Sequence, residues 1–206
     1  MAYSQFKTIA SAKAAFQLTV QEGDRFLPAL PRVTPSPWLQ ELLRESVPLV
    51  ATSGSEKARS EAIIYPLLLE VRRQLDRQVS LFSGEEFTVD EAAGLTGICD
   101  FLLTRSKAVL EIEAPAVVIV EAKKTDLKTG LGQCIAEMVA AQRFNIAQGV
   151  EIGTIYGIVS NGIQWQFLAL QDAAVTIDLT VYTLPPVEPI LADLVWMVGG
   201  NQQEGG

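Results

Sequence analysis

Asp100, Glu121 and Lys123 are the residues whose types and spacing could do chemistry. Asp100 interrupts the nearly apolar run Gly97–Thr104. Glu121 and Lys123 follow directly on the β-rich run Ala116-Val117-Val118-Ile119-Val120. Side chains two apart on a strand share a face, so Glu121 and Lys123 point the same way. They fall at the C-terminal end of the most buried strand, where open α/β sheets place ligands. A carboxylate buried in an apolar strand costs several kcal/mol unless something compensates it. A divalent cation shared by Asp100 and Glu121 would compensate both. Lys123 would then hold a water or a phosphate beside the metal, with no need to act as a base.

A Glu-x-Lys after an apolar strand is, alone, more often a solvated strand end. The conjunction of the two acids with two strands and a following helix is what points to a site. Histidine is absent, and there are two cysteines. That excludes Ser-His-Asp and Cys-His catalysis, a histidine-bound zinc and a four-cysteine cage. Any metal must have oxygen ligands, which favours Mg²⁺, Mn²⁺ or Ca²⁺. Cys99 and Cys134 lie in apolar periodic segments and read as small buried hydrophobes.

The elements that must position these residues follow from periodicity. Over 55–77, Ile64, Leu67, Leu68, Val71 and Leu75 recur at helical spacing, and Pro66 predicts a kink or a late start. Glu61 is three residues before Ile64 and seven before Leu68, which predicts a carboxylate on the core side of that helix, needing a partner. Strands are expected at 97–104, at Ala108–Glu113 (with Glu111 and Glu113 on a solvated face) and at 116–120. A helix is expected over 129–146, with Leu131, Ile135, Met138, Val139 and Ile146 on one face and Gln142 interrupting it. Gln133 lies off that face, either exposed or turned to the site. Gly130 and Gly132 could be simple turn residues or could aim N–H groups at an anion.

Asn161-Gly162 between 155–160 and 163–168 is a hairpin signal. Trp165 and Phe167 share one face of its second strand and read as core. A strand at 175–182 and a helix over 188–198 complete an α/β fold, a central mixed β-sheet flanked by helices. Ser36-Pro37 starts a helix in the segment before it. Three parts are expected: an N-terminal helical extension, a cap over 1–54 packed on the core; the core at 55–198; and a flexible tail at 199–206.

The chain has 206 residues, 49% hydrophobic and 19% charged, which suits one domain with a sizeable core. It shows no apolar run long enough to cross a bilayer and no secretion signal at its N-terminus, so a cytoplasmic protein is expected. A net charge of −8 argues against broad nucleic-acid binding but leaves room for a local basic groove. Basic residues cluster at 57–59, 72–77 and 123–128, and Arg72-Arg73 reads as the solvated side of its helix or the border of such a groove.

The pattern Gly97-Ile98-Cys99-Asp100-Phe101, then Val118-Ile119-Val120-Glu121-Ala122-Lys123-Lys124, then Gly132-Gln133 resembles the PD-(D/E)xK nucleases. It is most similar to the N-terminal nuclease domain of type I restriction enzyme R subunits and to small cyanobacterial proteins of that kind. The resemblance covers about 55–170, and Cys99 stands where the family often has proline. It implies a restriction-endonuclease-like core and a deoxyribonuclease that hydrolyses phosphodiester bonds with Mg²⁺ or Mn²⁺ and a metal-activated water, leaving a 5′-phosphate and a 3′-hydroxyl. It makes Asp100 and Glu121 the metal-binding acids and Lys123 the catalytic lysine. Gln133 becomes the supporting glutamine, and Glu61 the helical acid that touches the metal through water. The implied partner is DNA, with a homodimer or a second protein supplying recognition as further arrangements. The alternative is a catalytically idle nuclease fold that regulates or binds a partner.

Overall fold

The computed structural model describes residues 2–51 and 54–200. In chain order its elements are α1 (Ile9–Phe16), β1 (Thr19–Gly23), α2 (Pro37–Ala51), α3 (Glu56–Arg59), α4 (Tyr65–Gln74), β2 (Ser80–Glu86), β3 (Ile98–Thr104), β4 (Ala116–Ala122), α5 (Lys128–Ala147), β5 (Ile155–Ser160), β6 (Gln164–Gln171), β7 (Ala174–Asp178), β8 (Tyr182–Thr183) and α6 (Glu188–Gly199).

The strands form one mixed sheet of eight, in the order β1-β7-β6-β5-β4-β3-β2, with β8 pairing β6. The pairs β4–β5 and β1–β7 are parallel and the rest antiparallel. The fold is thus α/β, a mixed sheet flanked by helices. β4 sits centrally with all seven residues buried, as its unbroken apolar run demands of a strand covered on both faces. On one face, Leu102, Ile119, Val159 and Leu168 pack with Leu131, Ile135 and Met138 of α5. On the other, Phe101, Val118, Trp165 and Phe167 pack with Leu67 of α4 and Leu194 of α6. Trp165 and Phe167 are core, and Cys99 and Cys134 are free and buried, all as expected.

Three expectations are corrected. Ala108–Glu113 is a loop, with Leu110 94% exposed. The strand beside β3 is instead β2, in register from Ser80↔Thr104 to Glu86↔Ile98. With β2 on one edge of β3 and β4 on the other, 108–113 has no ladder to join. Next, 1–54 is not wholly helical, because β1 adds a parallel edge strand, Thr19↔Ala174 to Gly23↔Asp178. Only Val20 is a large apolar residue there, so β1 carries little alternation to announce it. Finally, the strand expected at 175–182 is broken into β7 and β8.

The helix at 55–77 starts at Glu56, capped by the Ser55 side chain, and passes through a π-helical turn at Ser60–Ile64 into α4. Pro66 stands at the first turn of α4, where its missing N–H costs least. α2 begins at Pro37, and Ser36 Oγ accepts the Leu39 N–H at 3.3 Å. Of the tail expected at 199–206, residues 201–206 lie outside the described residues. Among the described residues no helix is long and apolar enough to cross a membrane.

Candidate active site

Strands β3 and β4 pair as far as Phe101↔Val120. One step further the same register sets Asp100 across from Glu121, and there the backbone ladder stops. Asp100 replaces it: its Oδ2 accepts the Ala122 N–H at 2.8 Å. On the other side of β4 the parallel pairing with β5 runs to Ala122↔Ser160, and the Lys123 N–H donates to the Ser160 carbonyl at 2.8 Å. The sheet therefore holds Glu121 to Lys123 firmly from β5 while β3 separates. A strand that parts from its neighbour at a carboxylate leaves polar groups that must be satisfied by side chains.

The Glu121 carboxyl is met by side chains from the residue that follows β4 and from α5. Lys123 Nζ donates to Glu121 Oε1, and Gln133 Nε2 donates to Glu121 Oε2 at 2.8 Å. Gln133 is therefore turned to the site. Its Nε2 also donates to Oε1 of Glu137, one helical turn on, at 3.1 Å. Gly130 and Gly132 serve close packing. A Cβ on Gly130 would lie 2.8 Å from Val159 Cγ1 and 3.1 Å from Lys123 Cε. A Cβ on Gly132 would run into the carbonyl oxygens of Phe6 and Thr8. α5 is thus covered by the N-terminal segment as well as by the sheet, which is why a one-sided apolar stripe describes it poorly. Ile146, expected on that stripe, is 66% exposed.

Burial and mutual repulsion dominate the electrostatics. Burial first, and then the charge of Asp100, push the Glu121 carboxyl up to about 8. Burial raises Asp100 as well, opposed by the Ala122 N–H and by Lys123. For Lys123, burial pulls downward, but the charge and hydrogen bond of Glu121 win and hold the ammonium above its ordinary value. Lys123 therefore holds its proton more tightly than an ordinary lysine. Glu137, fully enclosed, is pushed well above the carboxylate range by burial and then by Glu121.

Glu61 is a correction. Its side chain is 68% exposed and meets Lys57 at 3.7 Å on the helix surface. The π-helical turn containing it widens the local period, so the 3.6-residue count that aimed Glu61 inward does not apply. The acid of this helix that acts on the site is Glu56, whose charge opposes ionisation of both Asp100 and Glu121. Glu61 does line an open cleft of about 430 Å³ with Asp100, together with Glu56, Tyr65, Ser83 and Gly84.

Two residues escaped the sequence reading. Glu56 gave no signal beyond standing after a capping serine. Glu137 was findable, since Gln133 and Glu137 are spaced i, i+4 and so share a helix face.

Among the described residues, no three Asp, Glu or Cys side chains are gathered closely enough to hold an ion, so the expected set of Asp100, Glu121 and Glu61 is not assembled. The donor chemistry suits Mg²⁺ or Mn²⁺ nonetheless. Mg²⁺ keeps several waters and needs only one or two carboxylates. Asp100 and Glu121 are two such groups, each made harder to ionise by its surroundings and so relieved by a nearby cation. No family model matches the chain, and no curated protein is found as a relative.

Proposed function

We propose that the chain is a Mg²⁺- or Mn²⁺-dependent deoxyribonuclease with a restriction-endonuclease-like core. The observation that carries this reading is the convergence of Asp100, Glu121 and Lys123 where β3 and β4 separate, beside a cleft open to solvent. The order of elements also supports it: a helix, the antiparallel strands β2, β3 and β4, the helix α5, then β5 parallel to β4.

Asp100 and Glu121 would hold the metal, which when bound lowers the pKa of a coordinated water and offsets phosphate charge. Lys123 keeps its proton and places a positive charge beside Glu121, where negative charge on a phosphate would grow. Gln133 holds Glu121 by one oxygen and so orients the other toward Lys123.

A plasmid-cleavage assay with Mg²⁺ or Mn²⁺ tests the reading. Lys123→Ala should lower the rate about a hundredfold, the scale of losing one positioned charge donor. Equal cutting by wild type and Lys123→Ala would sink the role given to Lys123. No cutting by wild type of supercoiled, linear or single-stranded DNA would sink the enzyme.

A second reading is an idle nuclease fold that regulates or binds a partner. It is favoured by the internal satisfaction of Glu121, both of whose oxygens already accept hydrogen bonds from this chain. A Mn²⁺-induced rise in melting temperature without cleavage would separate it from the enzyme, because a ligand that binds only the folded state raises apparent stability.

A further inference from the structure

Glu137 has no part in the chemistry above, yet it is the most anomalous acid among the described residues. It is fully buried on α5, no cation pairs with it among the described residues, and its Oε2 has no hydrogen-bond partner. A buried carboxyl with a spare oxygen costs several kcal/mol relative to an apolar side chain of similar size. Packing alone would be served better by methionine or leucine. Among the described residues its side chain makes one hydrogen bond, with Gln133, whose Nε2 sits between Glu137 Oε1 at 3.1 Å and Glu121 Oε2 at 2.8 Å.

We propose that Glu137 is a positioning residue: it anchors the Gln133 side-chain amide so that one of its two N–H bonds is committed to Glu121. A primary amide nitrogen carries two hydrogens, and here each is directed at a different carboxyl group. Glu137 is suited to the task because its own backbone lies in the buried middle of α5, among Cys134, Met138 and Ala141. Gln133, near the start of the helix, is only half-buried and would otherwise sample several rotamers. For its consequence on metal binding this inference rests on Glu121 being a metal ligand; for the placement of Gln133 it does not.

The test is NMR of the side-chain amide of Gln133 in the full chain, in wild type, Glu137→Gln and Glu137→Met, with MgCl₂ titrated into each. In wild type both amide protons of Gln133 should exchange with solvent more slowly than those of exposed glutamines. Glu137→Gln supplies a carbonyl acceptor in the same place and should keep that protection. Glu137→Met should lose protection at one proton, keep or gain thermal stability, and bind Mg²⁺ about tenfold more weakly, as loss of a ligand's supporting contact does. Fast exchange of both protons in wild type would overturn the proposal whether or not the variants fold. Unchanged Gln133 signals in Glu137→Met would overturn it too. Protected Gln133 protons in a wild type indifferent to Mg²⁺ would uphold the anchoring and sink the metal reading.

Discussion

Asp100 accepts the Ala122 backbone N–H at 2.8 Å, so a side chain from β3 takes over where the β3–β4 backbone ladder ends. That bond ties the carboxylate to the next strand and lets β3 part from it. The opening so made exposes Asp100 to the cleft while Glu121 stays covered.

Stability should fall as pH rises. Glu121 titrates near 4.5 in the unfolded chain and at about 8 in the folded one, so between those values the folded state binds the extra proton. More protons bound by the folded than by the unfolded state means a negative slope of stability with pH over that window, levelling off above about 8. Glu121→Gln should flatten the slope. Denaturant midpoints at pH 5 and pH 9 measure it, and a wild type more stable at pH 9 would contradict the site's electrostatics.

Glu70 predicts the opposite behaviour at acid pH. Burial pushes its carboxyl up, but hydrogen bonds from Ser36 and Gln74 and the charge of Arg73 outweigh that and leave it below its ordinary value. A lowered acid contributes stability above its unfolded pKa and loses it as pH falls through the folded one. Glu70→Ala should cost about 1–3 kcal/mol at pH 7 by leaving the Ser36 N–H and hydroxyl without their partner, and that cost should shrink as pH falls through the folded carboxyl pKa, because a protonated Glu70 accepts more weakly. Urea unfolding at pH 7 and at pH 3 would check both parts.

Gly130→Ala and Gly132→Ala should separate function from stability. At Gly130 the new methyl would press on Val159 and on the flexible stem of Lys123, so cleavage should fall further than the midpoint of unfolding. At Gly132 it would meet backbone of the N-terminal segment, which cannot swing aside. Overpacking there should cost about 1–3 kcal/mol or more while any folded fraction keeps its activity. Rates per folded molecule, set beside thermal midpoints, tell the two apart.

Asn145→Ala should destabilise the central strand. The Asn145 amide accepts from the Ala116 N–H at 2.8 Å and donates to the Ala116 carbonyl at 2.7 Å, all within the core. Removing it leaves two buried backbone groups unpaired, on the order of 3 kcal/mol. Asn145→Asp should rescue less than half of that, since a carboxylate accepts but cannot donate. A midpoint for Asn145→Ala within 0.5 kcal/mol of wild type, about the scatter of neutral surface changes, would refute it.

The sequence alone determined the parts governed by near neighbours. The run 116–120 had to be a doubly covered strand, residues two apart on it had to share a face, and α5 and the 155–168 hairpin followed from period and turn chemistry. Glu121 and Lys123 were readable as a pair for that reason, and Asp100 joined them only through the conjunction of two strands and the resemblance. Tertiary structure decided what depends on distant hydrogen-bond partners. It set β2 beside β3 in place of 108–113, and brought β1 to an edge formed by β7, more than 150 residues later. A π-helical turn around a proline-led helix rotated Glu61 outward, and no count at 3.6 residues per turn could foresee it. The sequence left Gln133 either exposed or turned to the site, and two buried carboxyl groups decided it, one across the sheet face and one a turn along its own helix. Local period reports which side of an element a residue takes; only the assembled layers report what waits on that side.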